Sequence, residues 1–407
     1  MRSDWKMTPL PDLLSFIVDN RGKTVPTSDK GRKLIATNCV RNDTLYPVYE
    51  KVRYLSEETY KTWFRSHPIP GDILFVNKGT PGRVCMVPNP VDFCIAQDMI
   101  AFRTNKRMYN KFLFAVLRSP YIQKQIYNTN VGDVIPHFKK SFLDQLLIPE
   151  PDMETQKEIG DIYFSLSSKI DLNNKINANL EAQAQAIFKS WFVDFEPFQD
   201  GEFVDSELGM IPKGWRVGRF TDIADVLGGG TPKTGNSSYW NGNVPFFTPK
   251  DVNGVYTLTT EKYLSDEGIR NCNSQLYPIN TVFITARGTV GKIALAGVYM
   301  AMNQSCYALK GKDGYTQLFI YGIAQMVVES LCHKSSGAVF NAIVTRDFDS
   351  EYIVIPDKDI VTKYQDNVEP VFNLILNNAK QSRTLAAIRD SLLPKLMSGE
   401  IEVPLEG

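Results

Sequence analysis

From residue 154 to about residue 191 the chain carries almost no glycine or proline. Ile159, Leu166, Asn173, Leu180 and Ile187 recur there at heptad spacing, with Ile162, Ile176 and Ala184 near the companion positions. The pattern returns between about residues 360 and 397. Val371, Asn378, Leu385 and Leu392 keep the heptad, and Leu374 and Ile388 hold the companion register. A narrow apolar seam of this period predicts two long helices that pack as a coiled coil. At the α-helical rise each spans about 55 Å. Asn173 and Asn378 fall on the seams, where a buried amide specifies register. Two such seams in one chain pack most simply on each other, antiparallel.

The rest of the chain breaks into short β-like runs punctuated by glycine and proline, and these runs occur twice in the same order. Ile73-Leu74-Phe75-Val76 leads through Lys78 into Gly79-Thr80-Pro81-Gly82-Arg83-Val84. Val282-Phe283-Ile284-Thr285 leads through Arg287 into Gly288-Thr289-Val290-Gly291-Lys292-Ile293. Upstream, the loop Arg21-Gly22-Lys23-Thr24-Val25-Pro26 matches Gly228-Gly229-Gly230-Thr231-Pro232-Lys233. Downstream come paired glutamines (Gln97, Gln304), then apolar helical stretches at residues 112–117 and 318–323. A glycine loop follows each, at residues 132–137 and 337–341, and each half closes on an apolar run into Pro149 or Pro356. Ordered self-similarity of this kind marks an internal duplication. The expected fold is α/β (α+β): two pseudo-repeated mixed domains joined by a long antiparallel two-helix coiled coil. The divisions fall at 1–152, 153–192 (first helix), 193–210 (linker), 211–357, 358–398 (second helix) and 399–407 (tail).

Composition narrows the function. Hydrophobic residues make up 43% and charged residues 22% of the 407 positions, as in a folded globular protein. Lysines and arginines balance aspartates and glutamates at 45 each. That balance argues mildly against a nucleic-acid binder, although a local basic groove can coexist with acidic surface elsewhere. No apolar run is long enough for a membrane span, and the opening residues lack the core of a signal peptide. The six cysteines form no Cys-x-x-Cys pair and read as reduced thiols of a cytosolic protein. Neither glycine motif has the Gly-x-x-x-x-Gly-Lys-Ser/Thr spacing of a P-loop. There is no Gly-x-Gly-x-x-Gly after a strand and no Gly-x-Ser-x-Gly elbow. His67, His137 and His333 are isolated from other ligands at metal spacing. A binding protein with no metal and no cofactor is expected, rather than an enzyme.

Five phrases resemble the specificity subunits of type I restriction–modification systems. They are Ile211-Pro212-Lys213-Gly214-Trp215, the Gly228-to-Lys233 loop, the repeated Gly-Thr-x-Gly-Lys/Arg motif, and the ends of the two helical regions. Those ends read Phe188-Lys189-Ser190-Trp191-Phe192-Val193-Asp194-Phe195-Glu196-Pro197 and Leu392-Leu393-Pro394-Lys395-Leu396-Met397-Ser398-Gly399-Glu400-Ile401. The resemblance implies two target-recognition domains, each reading half of a split double-stranded DNA sequence. It implies a helical pair that separates them and docks two modification (methyltransferase) subunits, with restriction (endonuclease/translocase) subunits recruited in turn. The chain itself would be non-catalytic, cytoplasmic and clear of the membrane.

Base reading needs Arg or Lys for guanine and Asn or Gln for adenine, and phosphate contacts need loop cations. The candidates are Arg21, Lys23, Lys78, Arg83, His137, Lys139 and Lys140 in the first half. In the second they are Lys233, Asn236, Lys250, Arg287, Lys292, Lys334 and Asn341. Two other readings compete: a helical scaffold that does not bind DNA, and a self-contained DNA-modifying enzyme. If the helical pair is a ruler, one added turn in each helix lengthens it by about 5.4 Å. The gap between half-sites should then grow by about one or two base pairs, and unchanged spacing in a methylation map would rule the ruler out.

Overall fold

In the computed structural model, which describes residue 2 and residues 4–20, 22–129, 136–334 and 342–402, short strands and long helices follow the order of the hydrophobic pattern. The chain divides into two units, Met1–Leu172 with Ser382–Gly407, and Asn173–Gln381.

The first unit begins with β1 (Lys6–Pro9), β2 (Leu14–Val18), β3 (Arg32–Ile35), β4 (Arg53–Leu55) and the short α1 (Glu57–Thr62). Next come β5 (Ile73–Val76), β6 (Val84–Met86), β7 (Phe93–Ile95), β8 (Met99–Thr104), α2 (Asn110–Arg118), α3 (Pro120–Thr129) and β9 (Leu147–Glu150). The long helix α4 (Met153–Phe192) follows. The central sheet has the order β2-β8-β5-β6 and is antiparallel throughout. A smaller sheet, β4-β3-β7, joins an antiparallel to a parallel pair, and β1 pairs with β9. Every residue of β5 is buried. Ile73 and Phe75 pack with α2 and Ile159, while Leu74 and Val76 pack with Ile35 and Ile95 of the smaller sheet. Alternation along the strand thus sends side chains into two separate cores.

The second unit repeats these layers. Its elements are β10 (Phe203–Val204), β11 (Ile211–Pro212), β12 (Arg216–Arg219), α5 (Phe220–Ile223), β13 (Ala224–Gly228), β14 (Trp240–Phe247), β15 (Tyr256–Thr257) and β16 (Lys262–Leu264). They continue with α6 (Asp266–Arg270), β17 (Val282–Thr285), β18 (Ile293–Ala296), β19 (Ala301–Met302), β20 (Cys306–Gly311), α7 (Gln317–Lys334), α8 (Thr345–Asp349), β21 (Tyr352–Ile355) and α9 (Lys358–Ser398). Sheet β13-β20-β17-β18 matches β2-β8-β5-β6, with β15 added parallel to β18. Sheet β16-β14-β19 matches β4-β3-β7, down to the parallel pair. Strand pair β12–β21 matches β1–β9.

Helices α4 and α9 pack antiparallel in each unit. In the first, Arg389 Nη1 donates to Ser167 Oγ (3.5 Å), and its guanidinium lies 5.5 Å from the Tyr163 ring centre. In the second, Asn173 Nδ2 donates to Gln381 Oε1 (2.9 Å), and Asn378 Nδ2 donates to Asn177 Oδ1 (2.9 Å). Of the expected seam residues, Ile159 and Asn173 are fully buried. Leu166, Leu180, Ile187, Val371, Asn378, Leu385 and Leu392 are half-buried. The companion register must be corrected, because Leu374 and Ile388 are each 45% exposed. The buried column lies one residue further on, through Val361, Val368, Ile375, Ser382, Arg389 and Leu396. On α4 its counterpart runs through Gln156, Tyr163, Ile170 and Ala184. A search for apolar periodicity passes over a column that contains glutamine, serine and arginine.

Gly160 lets α4 close on α2, since a Cβ there would lie 2.6 Å from the Phe112 backbone nitrogen. Backbone cannot yield as a side-chain tip can. Gly160→Ala should therefore lower stability by about 1–3 kcal/mol, read as a shifted midpoint in denaturant titration followed by circular dichroism.

Candidate nucleic-acid interface

The turn between β5 and β6 is built from the repeated glycine motif. Val76 N donates to Arg83 O (2.9 Å), and Gly82 N donates to Val76 O (3.0 Å). Between β17 and β18, Thr285 N donates to Lys292 O (2.9 Å), and Gly291 N donates to Thr285 O (2.9 Å). All four glycines have positive φ, between 83° and 89°, a region costly for other residues. The two glycines of each turn do different work. A Cβ on Gly82 would meet Gln123 Oε1 at 3.0 Å, and one on Gly291 would meet Cys332 Sγ at 2.9 Å. The second glycine therefore seats the turn on a helix. Around Gly79 and Gly288 no atom of the described residues lies within 4 Å of such an atom, so among these residues the first glycine faces open space. Lys78, Arg83, Arg287 and Lys292 are exposed around these turns.

The segment after each glycine loop runs beside the turn. Lys78 bridges to His137, Gly79 N donates to Pro136 O (2.9 Å), and Phe138 N donates to Asn77 O (2.8 Å). In the second unit Arg287 bridges to Ala342, and Ile343 N donates to Ala286 O (3.0 Å). The first unit thus brings together Lys78, half-buried His137 and exposed Lys139. Lys140 pairs with Asp19. Lys23 is exposed on the loop after β2. Arg21 and Asn341 lie outside the described residues, as do residues 130–135 and 335–340 of the glycine loops.

In the second unit, exposed Lys233 accepts at its carbonyl from Trp240 Nε1 (3.4 Å). Asn236 is half-buried, its Oδ1 accepting from Ser238 N (3.1 Å) as the cap of a short 3-10 turn. Lys250 has a loose surface pair with Glu261 (3.9 Å), which binds weakly. Lys334 holds Glu351 at 2.5 Å, and that carboxylate is buried and also accepts from Ser330 (3.0 Å). Asn236, through its oxygen, and Lys334, whose side chain is 63% exposed, thus each have a partner in their own domain.

A basic residue that sequence reasoning missed is Arg118, at the end of α2. Its Nη2 donates to the carbonyls of Val84 (2.8 Å), Arg41 (3.1 Å) and Thr44. Burial pulls its pKa below the ordinary guanidinium value. It ties the strand leaving the motif turn to the loop before β4. An arginine in the last helical turn reads as a solvated cap, so nothing in the sequence marked it. Among the described residues no group of His, Cys, Asp and Glu is placed to hold a metal ion, and no helix is long and apolar enough to cross a membrane.

Duplicated recognition-type domains with glycine-turn rims and a paired helical seam agree with the family comparison. The type I restriction modification DNA specificity domain matches residues 3–182 and 212–385, and the chain belongs to that family. It is 27% identical over 339 residues to the type I restriction enzyme MjaIX specificity subunit of Methanocaldococcus jannaschii, covering 82% of this chain and 78% of that one. It is 27% identical over 399 residues to the HindI specificity subunit of Haemophilus influenzae, covering 81% and 86%. The crystal structure of the type I restriction–modification S subunit from M. genitalium shares the fold, with a TM-score of 0.59 at 13% identity over 97% of both chains.

Removing the Lys334 ammonium leaves the buried Glu351 carboxylate without its cation. Lys334→Ala should cost about 1.5–3 kcal/mol of stability in chemical denaturation while leaving the salt dependence of DNA binding unchanged. A weaker salt dependence with unaltered stability would return Lys334 to the contact surface.

Proposed function

We propose that this chain supplies the DNA sequence specificity of a type I restriction–modification complex, each unit reading one half of a bipartite duplex site. Residues 1–152 and 211–357 are the two target-recognition domains. Residues 153–192 and 358–398 are the helical regions, with 193–210 as linker and 399–407 as tail. The chain works as a non-catalytic, cytoplasmic subunit. Two modification subunits dock on it and carry the methyl transfer, and restriction subunits join them.

The observation that carries this reading is the equivalence of the two rims. Each unit ends its central strand in the same glycine turn, and each turn exposes cations at matching positions: Lys78 and Arg83 in one, Arg287 and Lys292 in the other. A glycine facing open space lets a phosphate approach the backbone closely. His137 and Lys139 extend the first rim, and Lys233 extends the second. Lys23 on a flanking loop, and Lys140 and Lys250 on short 3-10 turns, add to the attraction without setting register.

Binding driven by phosphate contacts weakens with salt, log K falling by about 0.9 per phosphate for each decade. Titration of duplex DNA at several salt concentrations tests the rims. Lys78→Ala and Arg287→Ala should each flatten the slope by about 1 and weaken binding across sequences. Slopes equal to the unsubstituted chain for both variants would remove the rims from the interface.

A further inference from the structure

The two units repeat one turn bond for bond and then differ at its glutamine. Between β7 and β8, Ala96 N donates to Ile35 O (3.0 Å), Met99 N to Ala96 O (3.3 Å) and Asn77 N to Asp98 O (3.1 Å). Between β19 and β20, Asn303 N donates to Phe247 O (2.9 Å), Cys306 N to Asn303 O (3.3 Å) and Ala286 N to Ser305 O (2.8 Å). Gln97 and Gln304 are equivalent by these bonds. The carbonyl before each turn is also matched: Met302 O accepts from Gly230 N (3.2 Å), and Ile95 O accepts from Asn20 Nδ2 (3.3 Å).

In the second unit the glutamine oxygen has a donor, because the Thr231 hydroxyl donates to Gln304 Oε1. The glycine run lies flat on the turn to deliver that hydroxyl: a Cβ on Gly229 would sit 2.1 Å from Asn303 O. In the first unit the Asn20 side chain takes the place of the Gly230 amide. Among the described residues Gln97 Oε1 has no hydrogen-bond partner, and Asn20 Oδ1 and Asn77 Oδ1 have none either. Asn20 is 4% and Asn77 6% exposed. Three acceptors without donors around a single turn form an arrangement that folded proteins avoid unless something else supplies the donor. Gln97 is half-buried with its Oε1 covered, and its last torsion is soft, so reading a base requires a rotation that brings this oxygen out. The turn borders the exposed rim, since Asn77 is bonded to Asp98 and is followed by Lys78.

We infer that Gln97 is a base-reading residue of the first unit and that its counterpart Gln304 is a framework residue. A glutamine reads adenine with two bonds, its oxygen accepting from N6 and its nitrogen donating to N7. The donor that the Gln97 oxygen lacks is thus the adenine amine. This rests on the proposed DNA-reading function, and the test separates the two.

The full-length chain is incubated with a randomised duplex library, and bound sequences are read. The unsubstituted chain should enrich a two-part motif. Gln97→Leu should lose an adenine preference at a position in one part and leave the other part intact. Gln304→Leu should leave both parts intact. Gln97→Glu keeps the shape of the side chain and covers the case in which the leucine variant misfolds. A carboxylate accepts from cytosine N4, so its preference should move from adenine to cytosine at that position. Replacing that adenine with purine, which lacks the amine, should weaken the unsubstituted chain by about tenfold and add nothing in Gln97→Leu. The inference is overturned if both Gln97 variants keep the original motif, or if the purine penalty is the same with and without Gln97. Failure of the unsubstituted chain to enrich any two-part motif removes the DNA-reading function itself, and this inference with it.

Discussion

Each unit depends on one strand buried on both faces. Strands β5 and β17 expose nothing along their length, and their alternating side chains enter separate cores. A strand of this kind has no solvated face on which to carry function. Its polar business is pushed to its ends, where the backbone leaves the ladder. There the glycine turn satisfies the strand's last amide internally and faces outward with its cations. Each unit thus carries two exposed cations beside the end of this strand, in a chain of zero net charge.

The long helices attach to the units through the same device used in opposite senses. In the first unit the glycine is on the long helix, Gly160 against the start of α2. In the second it is on the domain helix, where a Cβ on Gly322 of α7 would lie 2.2 Å from the Phe188 ring. Around that contact Phe192, Phe319 and Tyr364 pack edge to face at 4.9–6.5 Å, and Trp215 lies tilted against Phe192 at 6.0 Å. Away from these anchors the seam is rich in amides, serine and arginine. Polar seam groups reduce packing energy, but they hold a defined register because a slip would break their hydrogen bonds.

Duplication preserved backbone bonding more strictly than side chains. Three bonds of the β7–β8 and β19–β20 turns agree in donor, acceptor and order, while the side chains around them have diverged. One unit gives its glutamine oxygen a threonine donor, and the other leaves three buried acceptor oxygens without a donor among the described residues.

The duplication, the mixed α/β class and the two long helices were legible because each rests on a local signal: repeated glycine turns, alternating short runs, and a stretch of heptads. Gly82 and Gly291 could be recognised as turn residues from spacing alone. Their seating on a helix could not, since it depends on Gln123 and Cys332 arriving from far along the chain. The same holds for the candidate site. Lys78 and Arg287 stood out beside the motif, but the partners of Lys334 and Asn236 within the fold did not, and Arg118 was hidden by its burial. The seam shows the limit most plainly. Periodicity located the helices, yet the inner column passes through Ser382 and Arg389 and leaves Leu374 and Ile388 outside. Hydrophobicity is a property of a residue, so the sequence by itself determined which segments form helices and strands and that the module occurs twice. Burial and hydrogen-bond completion are properties of an assembled neighbourhood, and only the tertiary structure decided which polar groups are satisfied and which remain open.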